Sequence, residues 1–437
     1  MADRYHVVLI PGFGGFDALG QVEYYAHVTS LFDAWKRGRP KRARPVVLHY
    51  FDNFPTAAVV TRAARLRSYL AKRIARGEIS GGDEVTLVGH STGGLDIRQL
   101  ISDLHGPADG PLHVDGGLPV PVRTILRHVR RVVFLSVPHW GTNIADWVRS
   151  HPVWRQALVA ELQAAVAGSQ IYLLDRVEAQ IAGCSASLTG AQLLLAAQDA
   201  LTEANAGFGR RSPLRTADAQ EAASELALYL RHMASDFHAI DDLSSQPPYS
   251  GPKSPAQFSV RHRKEELRRF RKIEVLSYAT VGPRLFGFVP DQPAPVWDLA
   301  NPCTFREIIF DGTPGPRTDV AYRLCYRACA GGPLRQPALS GPVSWRLIGS
   351  PEVPIELWDN DGIVNTASML WPNVENALVD CDHLDIIGHY KLTKANPGVG
   401  RRYQSYDALE SGSGFTREKF KKVWTEIFDF CIGGKSD

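Results

Sequence analysis

The feature that most constrains this chain is a β-branched run, Glu84-Val85-Thr86-Leu87-Val88, followed at once by Gly89-His90-Ser91-Thr92-Gly93-Gly94. Leu95-Asp96-Ile97-Arg98-Gln99-Leu100 then reads as a helix. The order is strand, sharp turn, helix. A bare Gly-x-Ser-x-Gly pattern arises by chance in any glycine-rich chain, and its plain reading is a glycine turn. Here both flanks supply the context of a nucleophile elbow, in which the serine takes a strained backbone position that lifts its hydroxyl clear of the sheet. A Cβ two residues before or after that serine would collide with the turn. Ser91 is therefore the candidate nucleophile, provided its partners occur downstream.

The rest of the chain reads as an α/β protein. His6-Val7-Val8-Leu9-Ile10 is a continuous apolar run, as a strand buried on both faces would be. Residues 44–50, 131–137, 272–278 and 376–381 read as further strands, and 415–431 as a closing amphipathic helix. Between residues 56 and 76, Val59, Val60, Ala63, Leu66, Leu70 and Ile74 recur at helical spacing. Solid apolar strands alternating with helices predict a mostly parallel central sheet covered on both sides. With 437 residues, 44% hydrophobic and 22% charged, the chain can bury a large core and falls among globular proteins. The net charge of +3 gives no strong field toward nucleic acid or an anionic membrane. No stretch is apolar and long enough to span a bilayer. Cys184, Cys303, Cys325, Cys329, Cys381 and Cys431 show no metal-ligand spacing and read as free thiols, with one distant disulfide left open.

Two segments interrupt the pattern. Residues 143–270 show helical periodicity at 153–167, 191–204 and 217–237 and no convincing strand, which predicts a helical cap or lid over the site. A Pro/Gly/Ser linker at 246–255 closes the block, and the basic stretch 261–272 reads as a solvated helix face. Residues 283–343 are rich in proline and glycine and read as a second insertion with helix around 319–329. The expected organisation is a core of 1–142 and 271–437, carrying the insertion 283–343, with the cap at 143–270.

A serine nucleophile needs a base in hydrogen-bond reach and an acid to orient it, and on an elbow these follow in the order Ser, Asp or Glu, His. Of 14 histidines, His383 follows a predicted strand and is flanked by acidic residues; His389 is the runner-up. His90 is excluded as base because neighbours on the elbow point apart, and His139 precedes the cap. Asp361, in a tight Asn360-Asp361-Gly362 turn, is the expected acid, with Asp359 as the alternative. Pro11-Gly12-Phe13-Gly14-Gly15, after the first strand, is either an ordinary βα turn or half of an oxyanion hole.

Five blocks together resemble the bacterial true-lipase family of α/β-hydrolases. They are the loop from Val8 to Gly20 with Tyr24-Tyr25, the elbow from Leu87 to Arg98, Ser136-Val137-Pro138-His139-Trp140-Gly141-Thr142 and its continuation to Trp147, Asn360-Asp361-Gly362-Ile363-Val364, and Asp382-His383-Leu384-Asp385. They occur in the family's order. The resemblance implies an α/β-hydrolase fold with a lid, a Ser91–Asp361–His383 triad, and an oxyanion hole made by the backbone N–H groups of Phe13 and Thr92. It implies hydrolysis of carboxylic esters with hydrophobic acyl groups, or of hydrophobic polyesters, and transient contact with lipid interfaces. No cofactor is implied for the chemistry. Family members often hold a structural calcium partly through the aspartate two residues after the histidine, the place of Asp385. The second carboxylate is then expected from 283–343, and a capping or ion-pair role for Asp385 is the alternative. Pro11 departs from the histidine that the family has before its oxyanion glycine. The chain starts straight into a strand, so the expectation is a cytoplasmic protein, or a secreted one whose leader was removed. The same triad would also serve an acyltransferase, lactonase or amidase, and a catalytically silent binding protein on this fold is the reading from another class. Acyl-chain length and oligomeric state are not written in these motifs.

Overall fold

A computed structural model describes residues 3–15, 18–19, 22–40, 42–106, 120–150, 229, 232–233, 236–246, 253–285, 320–331, 344–348, 355–391, 407 and 409–434. The cap helices expected at 153–167 and 191–204, and most of 217–237, lie outside the described residues, as does most of 283–343.

Among the described residues, seven strands form one sheet. They are β1 (Tyr5–Ile10), β4 (Val46–Tyr50), β5 (Glu84–His90), β6 (Val129–Leu135), β7 (Glu274–Val281), β8 (Ser344–Ile348) and β9 (Glu375–Asp380), in the spatial order β4-β1-β5-β6-β7-β9-β8. Every pairing in it is parallel. Two short strands, β2 (Ala18–Leu19) and β3 (Val22–Glu23), pair antiparallel in the loop after β1. The sequence does not announce β8, because its five residues sit at the end of a proline-rich stretch. The remaining six strands fall where the apolar runs place them.

Alternation along the strands divides the core. Val8 and Ile10 of β1 pack in one cluster with Ala63, Leu66 and Leu70 of α2 (Val59–Ala75) and Leu95, Leu100 and Ile101 of α3 (Thr92–Leu104). Val7 and Leu9 point to the opposite face, where Val28 and Phe32 of α1 (Val28–Arg37) meet Trp424, Ile427 and Phe428 of α9 (Arg417–Cys431). A strand buried on both faces must be apolar throughout, which is why these strands read as solid runs. Three short helices, α4 (Val122–His128), α5 (Asn143–Ser150) and α6 (Ala239–Leu243), and two longer ones, α7 (Val260–Arg269) and α8 (Val320–Ala330), complete the described helices. The last matches the helix expected around 319–329.

Two helix faces differ from the expected pattern. In α2, Val60 is half exposed and Arg62 takes a fully buried place instead. In α7, Arg263 and Glu266 are buried rather than solvated. Glu266 receives two hydrogen bonds from Arg98 of α3, 2.7 Å from Nε and 2.8 Å from Nη2, which ties this helix to the one that follows the elbow. Hydropathy spacing cannot foresee either case, because a buried arginine depends on acceptors distant in sequence. The parallel sheet, the helices on both faces and a serine turn after the interior strand β5 make this an α/β-hydrolase fold.

Candidate active site

The site grows from the end of β5. Ser91 has φ 52° and ψ −128°, a region that L-residues rarely enter, and directly precedes α3. Only small neighbours permit that turn. A Cβ on Gly89 would lie 2.7 Å from the Gly94 nitrogen, and one on Gly93 would strike the carbonyls of Ile10 and Pro11. The oxyanion-type loop after β1 comes equally close, since a Cβ on Gly12 would lie 2.6 Å from Ser91 Cβ. Ser91 is 5% exposed, so the residue is almost wholly covered.

Asp361 and His383 come from loops flanking β9 and meet through His383 Nδ1 and Asp361 Oδ2, 2.7 Å apart. The His383 N–H also donates to the Asp361 carbonyl at 3.0 Å. Asp361 Oδ1 accepts the N–H groups of Ile363 and Val364, at 3.0 and 2.8 Å. Oδ2 accepts the Thr280 hydroxyl from the end of β7, at 2.6 Å, besides the imidazole. The carboxylate is wholly buried, yet four donors hold its position. Thr280 carried no sequence signal, because a threonine at a strand end is ordinary.

The other candidates are engaged elsewhere. Asp359 is forked by Arg284, with Nε and Nη2 each 2.8 Å from a carboxylate oxygen. His389 Nε2 lies 2.9 Å from the Tyr24 carbonyl oxygen. His139 is buried between Phe134 and Trp371. His90 is engaged by other partners, with its ring centroid 4.6 Å from that of His383. Its ring is fully buried, 2.6 Å from Tyr24 Oη through Nδ1 and 3.0 Å from the His383 carbonyl through Nε2. Burial, with His383 and His389 nearby, pushes the His90 imidazole well below its usual range.

The loop after β1 is fastened from behind. Arg62 donates to the Pro11 carbonyl at 2.7 Å and to the Phe54 carbonyl at 2.6 Å, and pairs with Asp96 at 2.8 Å; Asp96 also accepts Asn53 Nδ2 at 3.1 Å. Burial pushes the Asp96 carboxyl up to about 6 against the pull of Arg62. The Gly12 N–H donates to Tyr24 Oη at 2.9 Å and the Gly14 N–H to the Pro55 carbonyl at 2.8 Å. Between them, the Phe13 N–H has no acceptor among the described residues. The Thr92 N–H opens α3 and so has no acceptor within its own helix. Tyr229 closes over this loop by donating to the Gly14 carbonyl at 2.6 Å, and Phe237 meets Phe13 edge to face.

Behind His383, carboxylate oxygens of Asp382, Asp385 and Asp407 lie within 4.8 Å of one another. Asp382 accepts the N–H groups of Leu384 and Asp385, at 2.9 and 3.0 Å, and Asp385 accepts the Asp382 N–H at 3.1 Å. Asp385 thus fills the capping role. It also stands in a set of hard oxygen donors whose chemistry fits calcium. Among the described residues the carboxylates near Asp385 are those of Asp382 and Asp407; most of 283–343, where the second carboxylate is expected, lies outside the described residues. Burial pushes the Asp382 carboxyl up to about 7, and burial with the Asp382 charge raises Asp385 as well. Cys325, Cys329, Cys381 and Cys431 are free thiols. No helix among the described residues is long and apolar enough to cross a membrane.

No family model and no curated protein matches the chain. Among solved structures, EstA from Clostridium botulinum is similar over 94% of this chain and 87% of its own, at 14% identity and TM-score 0.39. Lipase 1 from Pelosinus fermentans is similar over 95% and 100%, at 14% identity and TM-score 0.39. The mature Bacillus licheniformis lipase is 21% identical over 34% of this chain, with TM-score 0.23; the match spans less than half of that lipase, 46%. At TM-scores this low these likenesses carry no argument, and the geometry of the sheet and the site has to speak for fold and chemistry.

Proposed function

We propose that the chain is a serine hydrolase of carboxylic esters, within the bacterial true-lipase branch that its five sequence blocks resemble. The observation that carries this reading is the buried His383–Asp361 pair at 2.7 Å, whose imidazole lies 4.6 Å ring to ring from His90, the residue before the strained Ser91 that the Gly12 loop closely approaches. In the proposed reaction the Ser91 hydroxyl attacks the ester carbonyl and passes its proton to His383 Nε2. Asp361 keeps the imidazole in the tautomer with Nδ1 protonated and stabilises the cation that forms. The tetrahedral oxyanion is received by the Phe13 and Thr92 N–H groups. The C–O bond then breaks, His383 returns the proton to the departing alcohol, and an acyl-enzyme remains. Water attacks this ester by the same route, giving the acid and free Ser91.

Hydrophobic acyl chains are the proposed substrates, a reading supported by the Phe13–Phe237 ring contact at the Gly12 loop. Within this reading the Asp382, Asp385 and Asp407 carboxylates would hold a calcium ion that braces the His383 loop without entering the chemistry. The decisive experiment measures hydrolysis of p-nitrophenyl esters of graded chain length by the wild type and by Ser91→Ala, alongside fluorophosphonate labelling. Turnover and labelling that both vanish in Ser91→Ala support the reading. Wild-type turnover in that variant overturns it.

A further inference from the structure

His90 is the one elbow residue with polar contacts on both sides of the site, and its contacts form a chain. The Gly12 N–H donates to Tyr24 Oη at 2.9 Å, Tyr24 Oη lies 2.6 Å from His90 Nδ1, and His90 Nε2 lies 3.0 Å from the His383 carbonyl oxygen. The two ends fix where the protons go. A peptide N–H can only donate and a carbonyl can only accept. Nε2 must therefore carry the His90 proton, Nδ1 accepts, and the Tyr24 hydroxyl donates to it while accepting from Gly12. In this arrangement every link has one donor and one acceptor, and His90 is neutral. Protonating His90 would put a donor at Nδ1 and reverse the bond to Tyr24. Burial and the neighbouring His383 and His389 oppose that protonation.

We propose that Tyr24 and His90 are positioning residues that lock the Pro11–Gly12 peptide, and through it the placement of the adjoining Phe13 N–H, in register with the His383 backbone. The inference rests on the reading of Ser91, Phe13 and His383 given above, and it assigns tasks to two residues that touch no reacting atom. Its physical content is mutual alignment. The oxyanion donor and the general base arrive on loops hundreds of residues apart, and an error of about 1 Å between them costs on the order of 100-fold in rate. A chain of buried, fully paired hydrogen bonds through the elbow itself suppresses that error. The second contact of the Tyr24 segment, His389 Nε2 to the Tyr24 carbonyl at 2.9 Å, fastens the same two regions in parallel.

The test is a cycle of Tyr24→Phe, His90→Asn and the double variant, assayed on p-nitrophenyl butyrate, with ¹⁵N-histidine ring spectra of each protein. Each single variant is expected to lower kcat by roughly 10- to 100-fold, the scale of a weakened oxyanion donor, with KM changed less than about threefold. The double variant should lose no more than the worse single, because either change breaks the same chain. In the spectra, wild-type His90 should remain in the neutral tautomer with Nε2 protonated at pH 5, and Tyr24→Phe should shift the ring signals of both His90 and His383. Multiplicative losses in the double variant, or a His383 signal indifferent to Tyr24→Phe, overturn the inference. The ring spectra do not require turnover. If the wild type hydrolyses no ester, the functional reading fails, while the spectra still decide whether the chain couples Tyr24 to His383.

Discussion

At Asp361 the two carboxylate oxygens do different work: Oδ1 is spent on the turn that follows it, and Oδ2 faces the Thr280 hydroxyl and the imidazole. Asp361→Asn keeps the size but offers His383 an amide where it needs an acceptor, favouring the wrong tautomer. It should lower kcat by about 10⁴-fold while leaving the fold intact, as steady-state kinetics and circular dichroism would show. Thr280→Val leaves the triad in place but removes one hydrogen bond to a buried carboxylate. The expected loss is about 10-fold in kcat, with an inactive protein or an unaffected one both contradicting the assigned role. His49 makes a different point. Burial, with Arg73 and His6 nearby, lowers its imidazole to about 3. The unfolded chain binds a proton near pH 6.5 that the native one refuses, so this contribution is complete above pH 6.5 and is lost as the pH falls toward 3. Between pH 7.5 and 5 it amounts to about 2 kcal/mol. His49→Leu should flatten that leg of the melting-temperature profile, and an unchanged leg would show that His49 does not supply it.

At the scale of elements, the elbow depends on what fastens the loops around it. The Arg62–Asp96 pair joins α2, α3 and the loop after β1, with both side chains fully buried. Removing one partner leaves the other charge buried and alone, which costs about 3–5 kcal/mol. Arg62→Met should therefore lower the melting temperature measurably and weaken ester turnover, since the Pro11 carbonyl loses its donor. The periodicity of α2 made Val60 a core residue and gave Arg62 no special place. Propensity and spacing see one helix at a time, whereas Arg62 is buried because Asp96 and the Pro11 and Phe54 carbonyls converge on it. Thr280 escaped the sequence reading for the same reason, and Tyr24 and Arg98, named there only within larger blocks, received no role of their own. Each becomes meaningful only through a partner far along the chain.

Across the whole molecule, three carboxylates behind the catalytic-type histidine make a cation the natural variable to test. Calcium added to chelator-treated protein is expected to raise the melting temperature, following the mass action of a ligand that binds only the folded state. Asp407→Asn should remove most of that response while leaving Ser91 labelling by fluorophosphonate intact. A melting temperature indifferent to calcium and chelator would leave Asp385 with its capping role alone. The sequence by itself determined the parallel sheet and the elbow, because strands buried on both faces must be apolar and a strained serine turn must be flanked by glycine. It also pointed to Asp361, in its Asn-Asp-Gly turn, and to His383, just past the last strand, in the order Ser, Asp, His. Only the tertiary structure decided that His383 leans on Asp361, that Thr280 shares that carboxylate, and that Tyr24 and His90 tie the Gly12 loop to His383. Those facts belong to hydrogen bonds between residues tens to hundreds of positions apart, which local hydropathy does not encode.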